Sequence, residues 1–167
     1  MEDILPQQHY NQFFIEIKQR IRTAQYEAMK AVNKEMISLY WDIGRLITEK
    51  QLHLGWGKSV VETLSKDLQK EFPGIQGFGA RNIWYMQQFY AEYHGNKFLQ
   101  PLVAEISWSK HLVIMTKCKD EQERQFYILA AKKYAWTKDV LIHKIEEYIC
   151  YVCALIFIAQ ITIRNIF

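Results

Sequence analysis

Residues that interrupt regular structure are scarce in this chain, and that restricts what it can fold into. Its 167 residues include seven Gly and three Pro. Gly frees the backbone to take positive φ and Pro removes an N–H, so these two residues usually punctuate helices and strands. No Pro falls between Pro6 and Pro73, and Gly44 is the single Gly between Gln8 and Leu52. So long an uninterrupted stretch favours long helices. Six of these ten residues crowd between Gly55 and Gly79, where they bracket one short segment.

Hydrophobic spacing gives the same answer. Phe14, Ile17, Ile21, Ala24 and Ala28 recur at steps of three and four, and Val32, Met36, Leu39, Ile43 and Leu46 continue the stripe. The pattern predicts one very long helix, or two with a kink near Gly44. Its apolar side serves either a core or a coiled-coil contact. Ser59-Val60-Val61-Glu62 fits a capping box for a second helix. Val60, Val61, Leu64 and Leu68 form its apolar face, and Phe72-Pro73-Gly74 stops it. A third helix begins near Ala80 and runs to about Tyr93, with Ile83, Met86, Tyr90 and Tyr93 as its core stripe.

Ser107 or Ser109 can cap a helix reaching about Cys118. Asp120-Glu121-Gln122-Glu123 is a second capping-box pattern, opening a helix to about Tyr134 with Phe126, Tyr127, Leu129 and Ala130 inside. Thr137 can cap a last helix carrying Val140, Leu141, Ile145 and Tyr148. No hairpin signal separates alternating runs. The expected fold class is all-α: a helical domain with a long N-terminal helix and a helix-turn-helix-like core.

Composition narrows the function classes. At 50% hydrophobic and 23% charged, the chain matches a soluble globular domain and excludes disordered and fibrous classes. Five Trp, ten Tyr and nine Phe predict a ring-rich core. The start, Met1-Glu2-Asp3-Ile4-Leu5-Pro6, lacks the basic and apolar regions of a secretory signal. Cys118, Cys150 and Cys153 are too few for a disulfide scaffold, so a reducing, cytoplasmic setting is expected. Cys150-x-x-Cys153 lacks two further ligands at zinc spacing and reads as buried thiols. His9, His53, His94, His111 and His143 are scattered, and His111 is placed to stack or bond within the core.

No nucleophile elbow, metalloprotease helix or phosphate loop occurs. Glu16-Ile17-Lys18 has a nuclease-like spacing, but it sits in a helical pattern without an acidic partner on a preceding strand. No cofactor, metal or catalytic residue is expected. The uncharged run from Ile149 to Ile163 spans fifteen residues. A membrane span needs about 17–25, so none is expected.

The segment from Gly57 to Tyr93 has the scale of a helix-turn-helix, with a connection longer than usual. In such units the second helix enters the major groove and its first residues meet base edges. Arg81 and Asn82 hold those positions, followed by Tyr85, Gln87 and Gln88. Arg pairs with guanine edges and Asn or Gln with adenine edges. Lys58, Lys66 and Lys70 can meet phosphates. The net charge of +3 is only a weak lean toward anionic partners, and two helices joined by a turn are more often ordinary core packing. From Lys117 to Lys144 basic residues outnumber acidic ones, a pattern that more often marks a solvated face.

A family resemblance adds to this. Trp41-Asp42-Ile43-Gly44, Gly55-Trp56-Gly57, Leu64-Ser65-Lys66-Asp67-Leu68, Phe72-Pro73-Gly74 and Gly77-Phe78-Gly79-Ala80-Arg81-Asn82-Ile83 occur in order. Ile106-Ser107-Trp108-Ser109, Phe126-Tyr127 and Trp136-Thr137 follow. Across roughly residues 10 to 148 the chain resembles the N-terminal domain of the bacterial YhcG family, a domain of unknown function attached to a PD-(D/E)XK nuclease. The resemblance implies a helical domain that binds double-stranded DNA through the helix from Arg81 to Tyr93. This chain departs from the family where it has Gly79-Ala80 in place of a capping Ser, Gln87 in place of a basic residue, and Lys110-His111 in place of paired His.

Residues 149–167 break with the family pattern and read as an apolar tail, left by truncation or a frameshift or else a genuinely divergent end, with the nuclease half missing. The expectation is therefore a DNA-binding-type, non-catalytic module, with homodimerisation through the long first helix giving two half-sites. The rival expectation is a protein-interaction or oligomerisation module that docks the nuclease domain.

Overall fold

The computed structural model describes residues 7–55, 57, 59–97 and 99–148. The predicted tail at 149–167, Trp56, Lys58, Cys150 and Cys153 lie outside the described residues. α1 spans Gln7–Leu54, α2 Ser59–Glu71, α3 Ala80–Tyr93, α4 Trp108–Lys117 and α5 Glu121–Lys133. A short 3-10 turn, Val103–Glu105, precedes α4, and a last helix, α6, occupies residues 138–148. Among the described residues there is no strand, and the fold is all-α. No helix among them is long and apolar enough to cross a membrane.

α1 is one continuous helix of 48 residues, so Gly44 marks no break. Gly44 is instead where α3 comes closest. A Cβ there would stand 2.8 Å from the Met86 carbonyl carbon, closer still to its oxygen, and 3.0 Å from the Tyr90 Cβ. Gly inside a helix costs roughly 0.5–1 kcal/mol relative to Ala. Here its missing side chain lets two backbones meet. The surrounding α1 residues Ile37, Tyr40 and Ile47 are buried, and Asn33 donates to the carbonyls of Ala104 and Ile106 at 3.2 Å.

The apolar stripe expected along α1 is only partly inside. Phe14, Ile17, Ile21 and Val32 are exposed, as are Leu39 and Leu46. The buried set, Ile37, Tyr40, Gly44 and Ile47, lies one residue to the side. One residue turns the face by about 100°. The body therefore sits against a different side of α1 from the one that the N-terminal spacing marks.

α3 forms the centre of the core. Ile83, Met86 and Phe89 are fully buried and Tyr93 nearly so; Phe89, not Tyr90, completes the stripe. Phe89 meets rings at their edges on several sides: Trp41 at 5.7 Å, Trp108 and Tyr93 at 5.3 Å, and His111 at 4.9 Å between centroids. Edge-to-face arrangements of this kind add stability beyond the area they bury. α4 contributes Trp108, Ile114 and Met115, α5 Tyr127, Ile128 and Ala131, and α6 Leu141 and Ile145. Phe126 and Leu129 of α5 and Val140 and Tyr148 of α6 are exposed rather than inside, since their neighbours Tyr127, Ile128 and Leu141 take the inward positions.

Helix ends follow local chemistry where the cap is a strong acceptor. The Asp120 carboxylate accepts from the Glu123 amide at 2.7 Å, and Glu123 reaches back to the Lys119 amide at 3.2 Å. The Thr137 hydroxyl accepts from the Val140 amide at 3.2 Å. Ser107 sits at the cap of α4 without a capping bond, its hydroxyl paired with Ser109 at 3.1 Å. Ser59 is the first helical residue of α2, not its cap.

Candidate nucleic-acid interface

α2 and α3 are joined by residues 72–79, and this connection is tied to both helices. The Ser65 hydroxyl donates to the Phe78 carbonyl at 2.8 Å, with Gln69 beside it. Gly77 takes a φ of 108°, a conformation open to Gly and poorly tolerated by other residues. The Asn82 amide nitrogen donates to the Gly77 carbonyl at 2.6 Å, and the Asn82 oxygen accepts from the Trp108 indole at 2.8 Å. Burial raises the pKa of the neighbouring Tyr40 phenol above its usual value, with the Asn82 amide acting in the opposite direction.

Asn82 is therefore half-buried and its amide is engaged at both ends inside the chain. A base edge would have to displace those bonds, so Asn82 positions the entrance to α3 and α4 rather than facing outward. Gln87 is in a similar situation. It is half-buried and donates to Gln51 at 2.6 Å, and its own carbonyl oxygen is buried without a hydrogen-bond partner.

Arg81 and Gln88 are exposed, and Tyr85 is half-buried. The Arg81 guanidinium lies 5.6 Å from the Tyr85 ring centroid and donates to its hydroxyl at 3.1 Å. No carboxylate pairs with it among the described residues. Gly79 caps α3 in extended conformation with no side-chain bond, in line with the missing capping Ser. Next to this helix end lies an open cleft of about 600 Å³. Arg81 and Tyr85 form one wall, Ser109 and Thr116 of α4 another, and Lys138 at the start of α6 contributes a second cation. Lys66 and Lys70 are exposed on α2.

The sequence does not single out Lys138. It stands in a mixed run of charges, and only the folding of α6 against α4 brings it to the cleft of Arg81. The nearest local signal is Thr137, whose capping bond fixes where α6 begins.

On the side of α2 facing α1 lies a second cleft, of about 650 Å³. Leu39, Leu46, Leu64, Leu68, Phe72 and Ile75 are among its walls, which are almost wholly apolar. Here Leu39 and Leu46, expected in the core, remain open.

A family model described as the DUF1016 N-terminal domain matches residues 16–150. The chain belongs to this family. Among curated relatives, the Escherichia coli (strain K12) protein named "Putative nuclease YhcG" is 28% identical over 102 residues. That match covers 59% of this chain and 27% of the relative, so the chain spans about a quarter of its length. No solved structure matches. The DUF1016 N-terminal domain here is thus all-α, and the motifs on which the resemblance rests are spread over α1, α2, the connection into α3, α4 and α5. Asp42 and Lys66 of those motifs are exposed, whereas Gly44, Ser65 and Trp108 are structural: a helix contact, a loop anchor and the partner of Asn82.

Proposed function

We propose that this chain is the DNA-binding-type module of a nuclease-associated protein and is not itself catalytic. The observation that carries this reading is Arg81. It stands exposed in the first turn of α3, braced on Tyr85, without a carboxylate partner and across a cleft from Lys138. An arginine held in that way presents its donors to a guanine edge or a phosphate with little further loss of freedom. Gln88 lies two turns further along α3, and Lys66 and Lys70 supply phosphate contacts from α2. Asn82 and Gln87 serve as supports. The relative's name, which contains "nuclease", favours a nucleic-acid partner.

The test is fluorescence anisotropy of a labelled random duplex at low and high salt. Wild-type binding is expected to weaken steeply with salt as counterions are released. Arg81→Glu with Lys138→Glu is expected to abolish it while helical circular dichroism is unchanged. Undamaged binding by that variant at matched salt refutes the interface.

The apolar cleft between α1 and α2 favours a second reading, a docking module for the nuclease part of a larger protein. Exposed apolar patches of this sort mark contact sites more often than free surface. Absence of duplex binding at low salt, with retention of a separately supplied nuclease domain in a pull-down, would put this reading first.

A further inference from the structure

Among the described residues the first half of α1 has no neighbour. Every residue from 7 to 32 is exposed, including Phe14 at 55% and Ile21 at 53%. Helices gain most of their stability in water from a covered apolar face, so a bare arm of this length is marginal alone. Its apolar residues are nonetheless ordered. Phe14, Ile17, Ile21, Ala24, Ala28 and Ala31 step by three and four, the a and d positions of successive heptads. The seam stops where the body begins: Glu35, Ser38, Asp42 and Arg45 hold the next four such positions. The fully buried body contacts of α1, Ile37, Tyr40, Gly44 and Ile47, and the bonding Asn33 fall at c or f, away from the seam, with the half-buried Met36, Trp41 and Ile43 beside them at b and g.

We propose that this arm pairs with the arm of a second copy of the chain in an antiparallel two-stranded coil. Residue size fixes the direction. The first three seam residues are large and the last three are Ala. With Ile21 set against the partner's Ala24, Ile17 meets the partner's Ala28 and Phe14 meets the partner's Ala31. Each of these layers then joins one large and one small side chain, as close packing requires. Parallel pairing stacks Phe14 on the partner's Phe14 and leaves three thin Ala layers in succession.

Charge supports the same register. In antiparallel coils g positions face g positions. Arg20 then faces the partner's Glu27, and Glu27 faces the partner's Arg20. Neither has an ion-pair partner in its own chain among the described residues. Parallel pairing would set Arg20 near the partner's Gln25 and Glu27 near the partner's Val32, with no opposite charges. Length agrees as well: the register places residue 10 opposite residue 35 of the partner, so the overlap ends where Asn33 first touches the body. The inference stands apart from the nucleic-acid reading and survives its failure.

The test is the mass of the full chain in solution by light scattering and sedimentation. Wild type is expected at twice the 20.0 kDa chain mass. Ile17→Asp with Ile21→Asp is expected to give monomer, with the tryptophan emission of the body unchanged. Arg20→Glu and Glu27→Arg are each expected to weaken dimerisation by about tenfold, and the double swap to restore it. In a background with Cys150→Ser and Cys153→Ser, Phe14→Cys and Ala31→Cys chains mixed together are expected to cross-link with each other, and Ala31→Cys alone not to. A monomer at all concentrations overturns the proposal. So does a dimer that survives the Asp variants, which would place the contact elsewhere, such as the apolar cleft. Efficient self-cross-linking of Ala31→Cys, or no rescue by the double swap, overturns the antiparallel register.

Discussion

Replacing Gly44 by Ala tests the closest backbone approach in the fold. Away from tertiary contacts this change stabilises a helix, by about 0.8–1 kcal/mol. Here the added methyl would stand 2.8 Å from the Met86 carbonyl carbon. Ordinary contact between carbons begins near about 3.5 Å. The obstacle is backbone, which cannot rotate aside as a side chain would. α1 and α3 must therefore part by roughly 1 Å along a contact that includes Ile37, Tyr40, Ile83 and Phe89. Overpacking of this kind costs about 1–3 kcal/mol, and an unyielding backbone puts it at or beyond the upper end. After the propensity gain, about 2 kcal/mol of destabilisation remains. For a chain of this size that is a fall in Tm of about 4–8 °C. Thermal unfolding followed by circular dichroism reads it directly. Gly95→Ala is the control: nothing lies within 4 Å of its Cβ position, and the change should stay within about 0.5 kcal/mol. If Gly44→Ala leaves Tm unchanged or raises it, the close approach is not what this Gly is for.

Other outcomes follow from buried polar groups and caps. Burial lowers the His111 pKa to about 4, while its Nε2 bonds the Val103 carbonyl at 2.7 Å and its Nδ1 has no partner. The unfolded chain takes up the proton near the ordinary value of 6.5, before the folded one does. Stability from this group is therefore full above about pH 6.5 and declines toward pH 4, by up to about 3 kcal/mol. Urea unfolding at pH 7, 5.5 and 4.5 should show that decline in wild type and a flatter profile in His111→Leu. Asn82→Ala orphans the Trp108 indole and the Gly77 carbonyl and should cost about 2–4 kcal/mol in the same assay. A loss of duplex binding without loss of stability in Asn82→Ala would instead give Asn82 a direct contact. Asp120→Ala should cost about 1 kcal/mol through loss of the Glu123 amide bond.

Much of the helical layout can be read from the chain because local chemistry decides it. Asp120 and Thr137 cap because a short acceptor beside free amides has few other options. Pro73 and Gly74 stop α2 for equally local reasons. The same logic does not reach tertiary placement. Phe14, Ile17 and Ile21 carry a helical period, and that period is the same whether a stripe faces its own domain or another chain. Gly44 can be a kink or a contact point, and only α3 lying across it decides. Asn82 has the chemistry of a base-reading residue, but the amide is engaged by Trp108, 26 positions away in sequence. Lys138 reaches the Arg81 cleft through the docking of α6, which no spacing in the chain encodes.

In the proposed pairing the arm would also act as a ruler. In the antiparallel pairing the dyad falls midway between residues 22 and 23, and Gly44 lies some 21 residues beyond it. At about 1.5 Å per residue, the two bodies stand about 65 Å apart, close to two turns of a DNA duplex. Their spacing depends on residue count alone. Seven residues inserted between Val32 and Asn33 would keep the seam in phase and carry the bodies about 21 Å further apart. A domain built in this way can change the distance between its two heads without altering a single contact inside either.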